Sequence, residues 1–227
     1  ELATAHLLEA VTGQTLTPAE RIQASVQAER DMAGVPCGIM DQTVVELAAS
    51  GQALLLDCAD QTTRPVPFDS QAPALLVVHS GVSHSLAEAA YAQRRAECER
   101  ASALLGVNSL REVSPDQLAR LKDEGVLHQR VTHVVTENER VRDAVTAIEQ
   151  GCWDRLGALM TGSHRSLRDD YEVSCRELDL LVELATVERG VYGARMTGGG
   201  FGGCVIVLVE TDQLEGVADR ISGRYYD

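Results

Sequence analysis

The chain has 227 residues, 44% of them apolar and 24% charged, which allows one large domain or two small ones and does not match a disordered composition. Its formal charge of −14 argues against the clustered basic face of a nucleic-acid binder, although not against a local anion site. No apolar run reaches the roughly 18 residues a membrane span needs, and six scattered cysteines without CxxC or zinc-type spacing predict reduced, mostly buried thiols in a cytosolic protein.

The first eleven residues are already helical in pattern, with Ala3, Leu7, Ala10 and Val11 on one face. No cap residue or leader pattern stands before Glu1, so the chain reads as a piece of a longer protein, cut inside an element. Thr17-Pro18-Ala19-Glu20 joins a cap, a proline at the first helical position and a glutamate three residues on, predicting a helix to about Met32. After a glycine-bounded break, residues 39–49 read as a short helix. Residues 52–57 and 63–67 follow as two strands, and Pro65 and Pro67 mark the second as an edge or an exit.

Residues 74–80 form a short apolar run bounded by Pro73 and Gly81, the pattern of a buried strand. From 83 to 189 the pattern is helical almost throughout, with capping boxes at Ser114–Gln117 and Ser174–Glu177. Residues 191–196 and 204–210 read as strands flanking a glycine loop, and 212–225 as a helix. Strand, helices, strand, strand, helix is a ferredoxin-like βαββαβ plan with helical insertions and without its last strand. The boundary between the two halves falls near residues 69–73.

Two segments carry chemistry. Arg195-Met-Thr-Gly-Gly-Gly-Phe-Gly-Gly-Cys204 contains G-x-G-x-x-G at Gly198, Gly200 and Gly203. A dinucleotide fingerprint needs a helix N-terminus after the glycines, and here a strand follows, so that reading fails on context. On composition alone the loop is a tight connection that lets another backbone pack closely. In Gly34-Val-Pro-Cys-Gly-Ile-Met-Asp41-Gln42, a turn feeds Asp41 into the first turn of an apolar helix, where the helix dipole favours a carboxylate. That suits a proton acceptor for a sugar hydroxyl, and equally a plain helix-start acid. Glu29, near the end of the preceding helix, sits where the dipole disfavours it and invites a cation partner.

These two segments closely resemble galactokinases of the GHMP kinase family. So do Ala-Leu-Leu-Leu-Asp57-Cys58, then His84-Ser-Leu-Ala with Tyr91, Arg94, Cys98 and Glu99, and Ser163-His-Arg-Ser-Leu-Arg-Asp-Asp-Tyr-Glu-Val-Ser174. The resemblance runs in order along essentially the whole chain. It implies an α/β (α+β) GHMP fold: the remainder of an S5-like N-terminal domain that binds ATP and sugar in residues 1–70, and a ferredoxin-like C-terminal domain in 71–227. It implies a cytoplasmic, monomeric enzyme with galactose and ATP as partners, and no nucleic acid or membrane. The reaction would move the ATP γ-phosphate to the C1 hydroxyl of α-D-galactose, giving galactose 1-phosphate, the first committed step of galactose catabolism by the Leloir pathway. Asp41 resembles the catalytic carboxylate facing that hydroxyl, Gly38 and Tyr91 resemble sugar contacts, and Glu29 resembles the ligand of a Mg²⁺ ion. Gly198, Gly199, Gly200, Gly202 and Gly203 correspond to the third family motif, beside the phosphates.

The family's first motif (Gly-Glu-His-Thr-Asp-Tyr, preceded by an arginine) and its phosphate-wrapping second motif (Gly-Leu-Ser-Ser-Ser-Ala) do not occur in residues 1–227. The isolated chain is therefore expected to be inactive and poorly stable. Two rival readings keep the same fold: a sibling kinase acting on N-acetylgalactosamine, and a galactose sensor without catalysis.

Overall fold

In the computed structural model, which describes residues 1–34, 37–68, 72–83 and 87–226, helices begin where the sequence supplies caps. The chain divides into two compact units, Glu1–Gln71 and Ala72–Asp227. In the first, helix α1 (Leu2–Thr12) ends on Gly13 at φ 72°. Its expected apolar face is exposed: Leu7 and Val11 face solvent and only Leu2 is fully buried. The helix is tied instead through Glu9, which accepts hydrogen bonds from Arg21 Nη1 at 3.1 and 3.2 Å. Helix α2 (Pro18–Ala28) starts on the Thr17–Glu20 capping box, with both reciprocal hydrogen bonds formed. The expected α-helix to Met32 gives way at Glu29 to a π-turn, Glu29–Ala33, that closes on Gly34 at φ 69°. Helix α3 (Met40–Leu47) follows, and Arg21 fastens it to α2 through Glu46 at 2.6 and 2.9 Å. Strands β1 (Gln52–Leu56) and β2 (Thr63–Pro67) then pair antiparallel as a two-stranded sheet. Among the described residues β2 takes a partner on one side only, which its prolines allow.

The second unit runs β3 (Ala74–Ser83), α4 (Ala87–Leu105), α5 (Pro115–Ala119), α6 (Val126–Glu149), α7 (Trp153–Asp169), α8 (Arg176–Thr186), β4 (Val191–Thr197), β5 (Gly202–Val209) and α9 (Leu214–Tyr226). Its three strands are antiparallel in the order β3-β5-β4. That is first, third, second, the order a ferredoxin-like plan requires of these strands, so the fold class read from the sequence holds. Val205, Val207, Val209, Ala194 and Met196 of the sheet pack against Leu178, Leu181 and Val182 of α8 and Val217 and Ile221 of α9. Each such aliphatic side chain, fully buried, stabilises by roughly 1.5–3 kcal/mol before entropy is counted. A second cluster joins Ala101 and Leu105 of α4 to Leu127 and Val131 of α6. Helix α7 lies against β4 where Gly157 and Gly193 meet: a Cβ on either would overlap the other segment's backbone.

Further local expectations fail: the strand expected to be buried, β3, leaves Leu75 and Val77 exposed to solvent. Ser114 forms its capping box with Gln117, but Ser174 does not cap α8. The N-cap is Cys175, and the Ser174 hydroxyl instead donates to Asp179 at 2.6 Å. The six cysteines are all free, yet none is fully buried. Cys58 and Cys152 are exposed at element ends and the other four are half-buried. Val35, Pro36, His84, Ser85 and Leu86 of the resembling stretches lie outside the described residues, as do residues 69–71 at the expected boundary.

Candidate active site

In the first unit the π-turn brings Glu29 to face α3. Gln42, buried in the first turn of α3, donates its amide to Glu29 Oε2 at 2.6 Å. The cation partner expected for Glu29 is therefore replaced by a neutral amide. The nearby cation, Arg30, instead donates to the Cys37 carbonyl at 3.1 and 2.7 Å. The Cys37 thiol is pushed above its ordinary pKa by burial and by its hydrogen bond to the Glu29 carboxylate. Asp41 occupies the first turn of α3, exposed, with Ile39 at the N-cap. Gly38 immediately precedes that cap, and a Cβ there would meet nothing within 4 Å, so packing within this chain does not demand the glycine. Glu29, Gln42, Asp41 and Gly38 thus lie along one α2-turn-α3 segment.

Glu29 fits a Mg²⁺ ion by donor chemistry. Such ions are held by one or two carboxylates with substrate phosphates and water supplying the rest. Glu29 is a half-buried carboxylate oriented by an amide. Among the described residues no three acidic, histidine or cysteine side chains gather into a complete cage, so an ion here would depend on phosphate oxygens.

In the second unit the glycine loop joins β4 to β5. Gly198, Gly200, Gly202 and Gly203 all have positive φ, from 83° to 127°, which L-residues rarely adopt. Gly200 has a second reason to be glycine, since a Cβ would overlap the Val173 carbonyl. Phe201, itself at φ 58°, donates its backbone N–H to that carbonyl at 2.7 Å. At Gly198, Gly199 and Gly203 a Cβ would meet nothing within 4 Å. The loop therefore rests on Val173 at its middle, through Gly200 and Phe201, is buried at Gly202, and has space at Gly198, Gly199 and Gly203. Tyr91, half-exposed on α4, stands one turn before Arg94 on the same helix.

Buried polar contacts surround the loop's approach. The Met196 N–H donates to His164 Nδ1 at 3.3 Å, and His164 Nε2 lies 3.2 Å from Asp179 Oδ1. Burial lowers the His164 pKa in spite of that carboxylate. Arg195 contacts Glu137 at 3.3 Å, and burial also lowers its pKa. Burial acts to raise Glu137, but hydrogen bonds from Ser163 and Arg140 hold its carboxyl below the usual range.

Sequence reasoning had no role for Gln42, Arg130, His164 or the turn containing Glu172. Gln42 and His164 stood inside matched stretches, yet the contacts that define them cross 13 and 32 residues, beyond any local spacing rule.

Residues 144–227 match the family model described as GHMP kinases C terminal. The chain is 44% identical over 228 residues to a Bos taurus galactokinase, covering 100% of this chain and 58% of that protein. It is 45% identical over 229 residues to a Homo sapiens galactokinase, covering 99% and 58%. It thus spans less than two thirds of these relatives' length. A crystal structure of Lactococcus lactis galactokinase complexed with galactose superposes with a TM-score of 0.91 at 33% identity, over 99% of this chain and 60% of that one. An L. major mevalonate kinase shares the fold at a TM-score of 0.67 and 23% identity, over 98% and 59%. Residues 144–227 thus carry the C-terminal domain of GHMP kinases, and the chain is homologous along its whole length to galactokinases.

Proposed function

We propose that the protein to which this chain belongs phosphorylates α-D-galactose at C1 with ATP, the chain being the part of that kinase downstream of its first two motifs. What carries the reading is the galactokinase likeness, which runs in register through both units rather than through the C-terminal domain alone. Residues 1–70 are then the remainder of the ATP- and sugar-binding domain, and 71–227 the C-terminal domain. Asp41, exposed in the first turn of α3, accepts the proton of the C1 hydroxyl as the oxygen attacks the γ-phosphorus, the bond from that phosphorus to the β,γ-bridging oxygen breaks and ADP leaves. Gly38 lets the sugar approach the backbone, and Tyr91 contributes a sugar contact from α4. The open positions Gly198, Gly199 and Gly203 let phosphate oxygens come close to the backbone of the loop. Glu29, steadied by Gln42, would hold Mg²⁺, which supplies charge neutralisation at the phosphates when bound. Phosphoryl transfer asks for positioning and electrostatic stabilisation more than for covalent chemistry, and these parts supply both.

The test is Asp41→Asn in the full-length protein. It should lower galactose phosphorylation by about 10²–10⁴-fold while ATP binding and the melting temperature stay close to wild type. A variant that keeps half of the wild-type turnover removes Asp41 from the reaction. Wild-type protein that consumes ATP with N-acetylgalactosamine and not with galactose would shift the reading to the sibling kinase.

A further inference from the structure

The turn at residues 170–173 is held at every residue. Arg130, 1% exposed on α6, donates from Nη1 to the Asp170 carbonyl at 2.6 Å and from Nη2 to Glu172 Oε2 at 2.5 Å. Arg94 on α4 donates to the Glu172 carbonyl at 3.3 Å. Both guanidinium groups meet on Glu97, Arg130 Nε at 2.7 Å and Arg94 Nη1 at 2.6 Å. The Asp170 carboxylate accepts from Ser166 at 2.7 Å. The Tyr171 ring stacks on His133 at 4.4 Å, and the Val173 N–H donates to the Leu167 carbonyl at 3.0 Å.

Such over-determination has a local cause and an outward consequence. Glu172 sits at φ 52°, a conformation that costs a non-glycine residue free energy and persists only where its surroundings enforce it. A buried arginine missing one of its carboxylates would likewise be costly. The network stabilises this turn, and the turn's outer face presents the Val173 carbonyl on which Gly200 and Phe201 rest. The helix carrying Arg94 and Glu97 also carries Tyr91. One ionic cluster therefore ties the helix of the expected sugar contact to the support of the glycine loop.

We propose that turn 170–173, clamped by Arg130 and Arg94, is the positioning platform of the glycine loop, and that Glu172 and Arg130 act on phosphoryl transfer through it. Its catalytic half rests on the kinase reading above. In this role neither residue touches substrate. They hold the loop backbone in the arrangement that receives phosphate, and small misplacements of such groups cost rate steeply. The platform also gives the stretch from Ser163 to Ser174 a physical role, since that stretch builds the turn.

Glu172 is the residue to vary, because its side chain is half-exposed and its loss opens no core cavity. In the full-length protein, Glu172→Ala should raise KM for ATP about tenfold and leave KM for galactose within about twofold. Glu172→Gln keeps an acceptor for Arg130 and should recover most of the ATP affinity. Hydrogen exchange supplies a readout that needs no catalysis. In Glu172→Ala the peptide spanning 197–204 should exchange several-fold faster, while the β5 core at 205–209 is unmoved. A purely structural role would lower the melting temperature and the active fraction with both KM values unchanged. That pattern, or unchanged exchange in the loop, overturns the proposal. If wild-type protein phosphorylates no galactose, the kinase reading fails by itself, and the exchange comparison still decides whether the platform sets the loop.

Discussion

At the scale of single residues, the first unit shows how a weak position becomes a defined one. Glu29 ends a helix, where the dipole disfavours a carboxylate, and the chain answers with the Gln42 amide while Arg30 is engaged by the Cys37 carbonyl. A neutral donor orients the carboxylate without cancelling its charge, which leaves the charge available to a cation. If Glu29 holds Mg²⁺, Glu29→Gln in the full-length kinase should raise the Mg²⁺ concentration for half-maximal rate several-fold and lower kcat, with galactose binding little changed. A Mg²⁺ titration at saturating ATP checks this, and an unshifted midpoint returns Glu29 to a helix-end role. Asp41 and the glycines stand out in the sequence by type and local context, while the roles proposed for them rest on the galactokinase resemblance. Gln42 does not stand out, since an amide one residue beyond a helix-start aspartate has no signature until the π-turn brings Glu29 to it.

At the scale of elements, the sequence was most legible where local chemistry decides the outcome. Thr17 and Ser114 cap their helices as read, and the glycine loop is flanked by strands as read. Ser174 fails because the N-cap falls one residue later, at Cys175, and the Ser174 hydroxyl donates to Asp179. The π-turn is invisible for a related reason, since a residue inserted into a helix leaves composition and approximate period intact. The α6–α7 contact carries a consequence that only the fold reveals. His133 of α6 is buried, and burial pulls its pKa down to about 4 from 6.5, against the pull of the Glu137 and Asp170 charges. Its Nδ1 lies 3.0 Å from the Ser166 hydroxyl, which itself donates to Asp170, so the neutral ring carries its proton on Nδ1. Between those two values the unfolded chain binds more protons than the native one, so stability rises with pH through the window and falls as acid is added. The loss attributable to His133 is of order 3 kcal/mol from pH 7 down to 4. His164 contributes in the same direction. Carboxylates whose pKa is held below its ordinary value, such as Glu97 under its arginines, lose their contribution only at lower pH. His133→Asn, whose amide can stand at the Nδ1 position and donate to Ser166, should therefore shrink the drop in melting temperature between pH 7.5 and 5.5. An equal drop in both proteins would mean that the ring takes up its proton in the folded state as readily as in the unfolded chain.

At the scale of the whole chain, the two units differ in how much core each possesses. Among the described residues, the first unit fully buries the hydrophobic side chains Leu2, Ile22, Val26 and Val66, while Leu7, Leu8, Val11, Met40 and Val45 face solvent. The second has a continuous cluster from Leu167 to Ile221 around its sheet, and another between α4 and α6. The general expectation of a poorly stable chain should therefore divide between them. Trp153 and all five tyrosines lie in the second unit, so near-UV circular dichroism reports that unit almost alone. For purified residues 1–227 in urea, we expect the near-UV signal to be native-like at the start and lost in one late, cooperative transition. Part of the far-UV helical signal, belonging to α1, α2 and α3, should be lost earlier, and ANS should bind at zero denaturant. The same sample should release no ADP from ATP and galactose, because the serine-rich phosphate loop of the family does not occur in these residues and the glycine loop supplies only part of a phosphate site. Coincident near- and far-UV transitions without ANS binding would show that the first unit is stabilised as fully as the second. Measurable turnover would show that the phosphate site is complete within residues 1–227.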